Sequence, residues 1–117
     1  VVYTALDPDA PATMSRTVIE EVIRGEIGFD GELVSDDLSM KALSGDFAER
    51  TRRALAAGCD LVLHCNGRMD EMTAVLNAAA PPTDAALDRL ARAASRKGRP
   101  AGFDAHAALA RLGSLLA

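Results

Sequence analysis

The chain has 117 residues, 49% of them hydrophobic and 26% charged, which suits one globular domain with a real core. A net charge of −4 without a Lys or Arg cluster argues against a nucleic-acid surface, and no apolar run reaches membrane-spanning length. Aromatic residues, at 3%, leave little for bases or sugar rings to stack on.

Val1–Thr4, β-branched and aromatic, reads as the end of a strand. Asp7-Pro8-Asp9 and Ala10-Pro11 form a rigid loop. Ser15 is a good N-cap, and Val18, Ile19, Val22, Ile23 and Ile27 recur at helical spacing. Glu20 and Glu21 lie early in that helix, where its dipole favours them. Gly28 ends it. A short strand, Glu32–Ser35, then delivers Asp36 and Asp37 at its C-terminal end.

Asp46 caps a second helix, Phe47–Ala57, with Gly58 as its stop. "CDLVLHC" is a continuous apolar strand ending in His64 and Cys65. A run covered on both faces is characteristic of parallel sheet. A helix over about Met69–Ala79 is broken by Pro81-Pro82. Thr83 or Asp84 caps another to about Ser95. "RKGRPAG" is a linker, and Asp104 caps a last helix rich in alanine and leucine.

Strand, helix, strand, helix, strand and then helices is an α/β order with a parallel sheet. Three strands do not make a doubly wound domain. They resemble the final third of a (β/α)8 TIM barrel, about strands 6–8 of a fold that needs about 250 residues. Residues 1–97 are read as that barrel portion and 98–117 as a C-terminal linker and helix. The opening "VVYTALDPDAP" starts in mid-element, so the chain is expected to be a fragment. Barrel chemistry sits at strand C-terminal ends, and Asp36, Asp37, His64 and Asn66 occupy such positions.

Paired aspartates after a strand have two kinds of reading. Asp37 caps or turns the chain while Asp36 bonds nearby amides, or one of them is a nucleophile, a general acid or base, or a magnesium ligand. Alternation does not choose between them. Asp36 shares a face with Val34, and Asp37 shares one with Leu33 and Ser35.

"LDPDAPATMS", "GFDGELVSDDLSM" and "AAGCDLVLHCNG", in that order and spacing, resemble the C-terminal barrel portion of the bacterial β-N-acetylhexosaminidases of glycoside hydrolase family 3. The likeness runs from Val1 to about Gly67, and the Ser-Asp-Asp-Leu-Ser-Met string is its most specific part. It is nearest to the cytoplasmic β-N-acetylglucosaminidases of peptidoglycan recycling. The resemblance implies a retaining hydrolase that removes terminal β-linked N-acetylglucosamine from muropeptides. It makes Asp36 the catalytic nucleophile, at the end of strand seven, and implies no metal or cofactor.

A retaining glycosidase needs an ionised carboxylate that attacks the anomeric carbon and forms a covalent glycosyl-enzyme. The family's acid/base is a histidine, assisted by an aspartate, on a loop upstream of strand six. Its sugar-binding Lys-His pair, Arg and Asp are also upstream. None of these motifs occurs in the chain, so the fragment alone is expected to be inactive.

His64 and Met40 are weak candidates for substrate contacts. His64 reads first as a satisfied barrel-mouth histidine, and Met40 either lines the pocket or packs beneath it. Asn66-Gly67 is a turn first. Arg50, Arg52 and Arg53 form a solvated helix face, Asp60 serves a turn, and His106 has no role. Cys59 and Cys65 read as reduced, buried thiols, which favours a cytoplasmic setting. Two rivals remain: a non-catalytic truncated barrel, and a magnesium-dependent Asp-Asp α/β domain. The second predicts more acidic or lysine residues at other strand ends, and "LVLHCNG" offers neither.

Overall fold

The computed structural model describes residues 1–98 and 102–116. Asp7 organises the opening loop. Its carboxylate accepts the N–H groups of Asp9 and Ala10 and, at 2.6 Å, the hydroxyl of Ser15. Ser15 Oγ accepts the Val18 N–H at 3.1 Å, one of the donors that a helix start leaves unpaired. After a single 3-10 turn, Ala12–Met14, comes α1, Thr17–Glu26. This helix is wound at the wide π spacing, as in the Ile27 N–H to Val22 C=O bond of 2.9 Å. Val18 and Ile19 are its buried residues.

Val1–Thr4 is not a strand. Residues 1–3 are irregular, Thr4 opens a turn, and all four are exposed. A strand persists only when a neighbour takes up its backbone groups, and no described strand does so. Instead Val1 C=O accepts from Ala12 N–H, and Tyr3 C=O accepts from Leu6 and Asp7. The described sheet therefore has two strands, not three.

β1 spans Val34–Asp37 and β2 spans Leu61–Leu63. They pair in parallel, as the sequence predicts. β1 starts two residues later than predicted and takes in both aspartates. At its start the Asp60 carboxylate accepts the Leu33 N–H at 2.8 Å. Past its end the Leu38 N–H reaches Leu63 C=O at 2.8 Å, so pairing continues beyond Ser35. Val34 lies opposite Leu61 and Asp37 opposite Leu63, with a register shift between. Three steps along β1 answer two along β2, which is a bulge.

α2, Phe47–Ala57, is capped by Asp46, whose side chain accepts the Glu49 N–H. Gly58 ends it with φ at 114°. A Cβ there would stand 2.6 Å from Glu20 Oε1 and 2.8 Å from Ile19 Cγ2, so both the backbone and the packing call for glycine. α3 spans Met69–Ala78. α4, Asp84–Ser95, is capped by the Thr83 hydroxyl, and α5 is Ala105–Leu116. Asp104 accepts the N–H groups of His106 and Ala107 at the start of α5.

The core lies between the sheet and the helices. Met14, Ile19, Leu38, Leu43, Ala54, Ala57, Cys59 and Val75 form it, with Leu33, Phe47 and Val62 packed against it. The other side of the sheet is uncovered: Val34, Leu61 and Leu63 are 46%, 38% and 42% exposed.

The amino ends of the strands are held by charge. Asp60, its side chain 5% exposed, bonds Arg24 at 2.9 Å and Arg89 at 2.8 Å. Arg92 of α4 binds Asp30 at 2.9 Å. Asp60 is thus the hub joining α1, α4 and both strand starts, a larger role than the turn residue its sequence position predicts.

Candidate functional site

Ser35, Asp36 and Asp37 stand at the carboxyl end of β1, and the geometry separates the two aspartates. Asp37 is committed to the fold. Its carboxylate accepts the Ser39 N–H at 2.9 Å, the Ser39 hydroxyl, and the Cys65 N–H at 3.2 Å. The bond from the Ser39 hydroxyl is the largest influence holding its carboxyl below the ordinary 3.8. The Ser39 and Cys65 amides and the nearby His64 act in the same direction, against partial desolvation.

Asp36 is exposed. Among the described residues its carboxylate accepts only the N–H of Asp37, at Oδ1 and 2.8 Å; Oδ2 is free. The neighbours that point into the helix layer are buried, Ser35 to 5% and Leu38 to 0% exposure. Asp36 borders a small cleft of about 160 Å³ shared with Ala12, Thr13 and Val34. A carboxylate at a strand end, exposed on one oxygen and braced on the other, can attack an electrophile or accept a proton.

Ser35 connects the two strands at the bulge. Its hydroxyl accepts the Leu63 N–H at 3.0 Å and donates to Asp36 C=O at 2.8 Å. In the sequence Ser35 reads only as the last residue of its strand, on the face of Leu33 and Asp37. Its one visible signal was a serine just before the paired aspartates.

His64 faces the helix layer. Its side chain is 5% exposed, and Nε2 lies 2.9 Å from Glu71 Oε2. Its ring meets Phe47 edge-on, with centroids 5.3 Å apart and planes at 74°. Among the described residues Nδ1 is buried without a partner. Glu71 also accepts from Asn66 Nδ2, and these two bonds, Asn66 first, hold its carboxyl below the ordinary range. Asn66 Oδ1 takes the Arg68 N–H, and Gly67 has φ at 74°, so Asn66-Gly67 is a turn locked onto α3. Met40 is 41% exposed and does not line the cleft beside Asp36.

Cys59 is buried but Cys65 is exposed, a correction to the expectation of two buried thiols; both are free. Burial, with the Asp60 charge beside it, pushes the Cys59 thiol up to about 11. Arg50 is not merely solvated. It donates to the carbonyls of Leu38 and Gly45 and so fastens the loop after β1 to α2. Among the described residues no three His, Cys, Asp or Glu side chains are grouped as metal ligands. No helix among them is long and apolar enough to cross a membrane.

Comparison with known proteins sets this geometry in context. The model of the glycosyl hydrolase family 3 N terminal domain matches residues 1–96. A beta-hexosaminidase of Tolumonas auensis is 44% identical over 88 residues, 74% of this chain and 26% of that protein. One from Pseudomonas aeruginosa PAO1 is 51% identical over 70 residues, 58% of this chain and 21% of that protein. Among solved structures, a glycoside hydrolase family 3 beta-N-acetylglucosaminidase from Paenibacillus sp. str. FPU-7 superposes with a TM-score of 0.69 at 32% identity. That match covers 87% of this chain and 22% of the other. The chain thus spans about a quarter of the length of these relatives.

Proposed function

The chain belongs to glycosyl hydrolase family 3, within its TIM-barrel-type N-terminal domain, and from that premise we propose that it supplies the nucleophile of a retaining β-N-acetylhexosaminidase. β1 and β2 are read as strands seven and eight of the barrel, with the chain before α1 following strand six. The names of the relatives, beta-hexosaminidase and beta-N-acetylglucosaminidase, support a β-linked N-acetylglucosamine substrate. Muropeptides as its source rest on the Ser-Asp-Asp-Leu-Ser-Met resemblance. The free thiols of Cys59 and Cys65 favour a cytoplasmic setting.

In this reading the free oxygen of Asp36 attacks C1 as the glycosidic bond breaks. The leaving oxygen takes a proton from a general acid outside this segment. Water then attacks C1 of the glycosyl-aspartate and restores the Asp36 carboxylate, with the same partner acting as base. The observation that carries the assignment is the unequal use of the two aspartates. Asp37 is occupied by three donors, whereas among the described residues Asp36, itself exposed, keeps one oxygen unbonded.

The test is covalent trapping. The full-length polypeptide carrying these residues is treated with a 5-fluoro N-acetylglucosaminyl fluoride, digested and analysed by mass spectrometry. One sugar on Asp36, absent in Asp36→Asn, is the expected result. No adduct overturns the assignment and leaves the non-catalytic barrel reading; an adduct on Asp37 overturns it by moving the nucleophile to that residue.

A further inference from the structure

We propose that Ser35 is a positioning residue: its hydroxyl closes the β1 bulge and so sets the aim of the Asp36 carboxylate. The inference rests on the reading of Asp36 as nucleophile and adds to it a residue that touches no substrate.

The bulge creates the need. With Ser35 and Asp36 of β1 set against Val62 alone of β2, the backbone ladder misses a rung between Val34 and Asp37. The Leu63 N–H would then face the gap unpaired, which is costly for a shielded donor. Ser35 Oγ fills the position. It accepts the Leu63 N–H at 3.0 Å and donates its own O–H to Asp36 C=O at 2.8 Å. The side chain is directed into the protein, with Ser35 only 5% exposed, so water does not readily replace it.

One hydroxyl therefore ties the peptide unit of Asp36 to the neighbouring strand. Without it, the Asp36 carbonyl and the Leu63 amide both lose this bond, and the Asp36 peptide is less firmly held. On the other side Asp36 Oδ1 holds the Asp37 N–H, and Asp37 is pinned by Ser39 and Cys65. Asp36 is thus braced before and after itself while its own Oδ2 carries no load. A strand with an intact ladder would not need a serine here. A bulge at a reactive strand end, closed by a side chain, fixes a direction that regular pleating does not offer.

The experiment compares wild type, Ser35→Ala and Ser35→Thr in the full-length polypeptide. Two readouts are used: amide exchange at Leu63, and the rate of labelling by the 5-fluoro glycosyl fluoride. Val75→Ala, a core truncation in α3 outside both strands, controls for lost stability. In Ser35→Ala the Leu63 amide is expected to lose protection. Maximal labelling is expected to slow by roughly 10- to 100-fold, the scale of a displaced reacting group, with the reagent's half-saturating concentration little changed.

Ser35→Thr, which keeps the hydroxyl, restores most of both, and Val75→Ala leaves the maximal labelling rate unchanged. If Ser35→Ala labels at the wild-type maximal rate, or Val75→Ala slows labelling equally, the positioning role is overturned while Asp36 remains the nucleophile. If wild type does not label at Asp36, the reading of the site fails and this inference fails with it.

Discussion

The Asp37 carboxylate accepts the backbone N–H of Cys65 at 3.2 Å, so a side chain of one strand ties down the chain leaving the next. That bond, with the two from Ser39, gives two adjacent residues of the same type different work. The difference is testable residue by residue.

Replacing Asp36 separates stability from activity. Its side chain makes a single local hydrogen bond at an exposed position. Asp36→Asn should shift unfolding free energy by no more than about 0.5 kcal/mol, as for surface substitutions generally. The same variant should lose covalent labelling and hydrolysis of an aryl N-acetylglucosaminide. Chemical denaturation beside a turnover assay checks both.

Asp37→Asn should do the reverse. The Ser39 hydroxyl, then the Ser39 amide, hold the folded carboxyl below 3.8. A depressed folded value stabilises the protein above the unfolded pKa and is lost as pH falls through the folded one. The wild type should therefore weaken as pH drops from about 4 downward, while Asp37→Asn, already without the charge, varies less across that window. Urea unfolding at pH 7, 4 and 3 measures the slope; parallel curves would show that Asp37 contributes nothing to it.

Asp60 should be among the costliest polar residues to remove. Its 5%-exposed side chain pairs with Arg24 and Arg89 and accepts the Leu33 N–H. Asp60→Ala removes the shared partner of two guanidinium groups and a part-buried amide, at about 3 kcal/mol, the low end for broken buried pairs, because Arg24 keeps the Phe29 and Gly31 carbonyls and Arg89 keeps Asp30. Arg89→Met should cost distinctly less, because Arg24 and the Leu33 amide still satisfy the carboxylate. Melting temperatures of the two variants give the order.

The thiols should react at different rates. Cys59 is buried, with its pKa pushed to about 11, whereas Cys65 is exposed. At pH 8 iodoacetamide should modify Cys65 first and reach Cys59 only on unfolding. Peptide mass spectra over time record the order.

Local chemistry was legible in the sequence wherever it stayed local. Asp46, Gly58 and Asp104 read from the sequence as helix punctuation, and each does that work; of Thr83 and Asp84, both cap candidates, the Thr83 hydroxyl is the one that caps. The parallel pairing of two strands followed from the unbroken apolar run near Leu61–Leu63. What failed depended on partners. Val1–Thr4 has strand composition, but no described strand takes its backbone groups. Cys65 looked apolar beside Leu63, but it lies past the last residue of β2 and out in solvent.

The paired aspartates show the limit most clearly. Alternation assigned them to opposite faces and could not rank them. The bulge at Ser35 breaks that alternation, and only coordinates reveal a bulge in a four-residue strand. The role of Asp60 was equally hidden, since Arg24 and Arg89 come from 36 and 29 residues away in sequence.

The Asp60 cluster also bears on how such a protein can change. It rivets the two strands at one end, through groups that have no part in what happens at the other. Loops at the opposite rim can then be lengthened, shortened or exchanged without loosening the pair. Anyone wishing to graft a new specificity onto this scaffold should leave Arg24, Asp60 and Arg89 alone, keep Ser39, and vary the exposed residues Met40, Lys41 and Ala42 and the turn at Asn66.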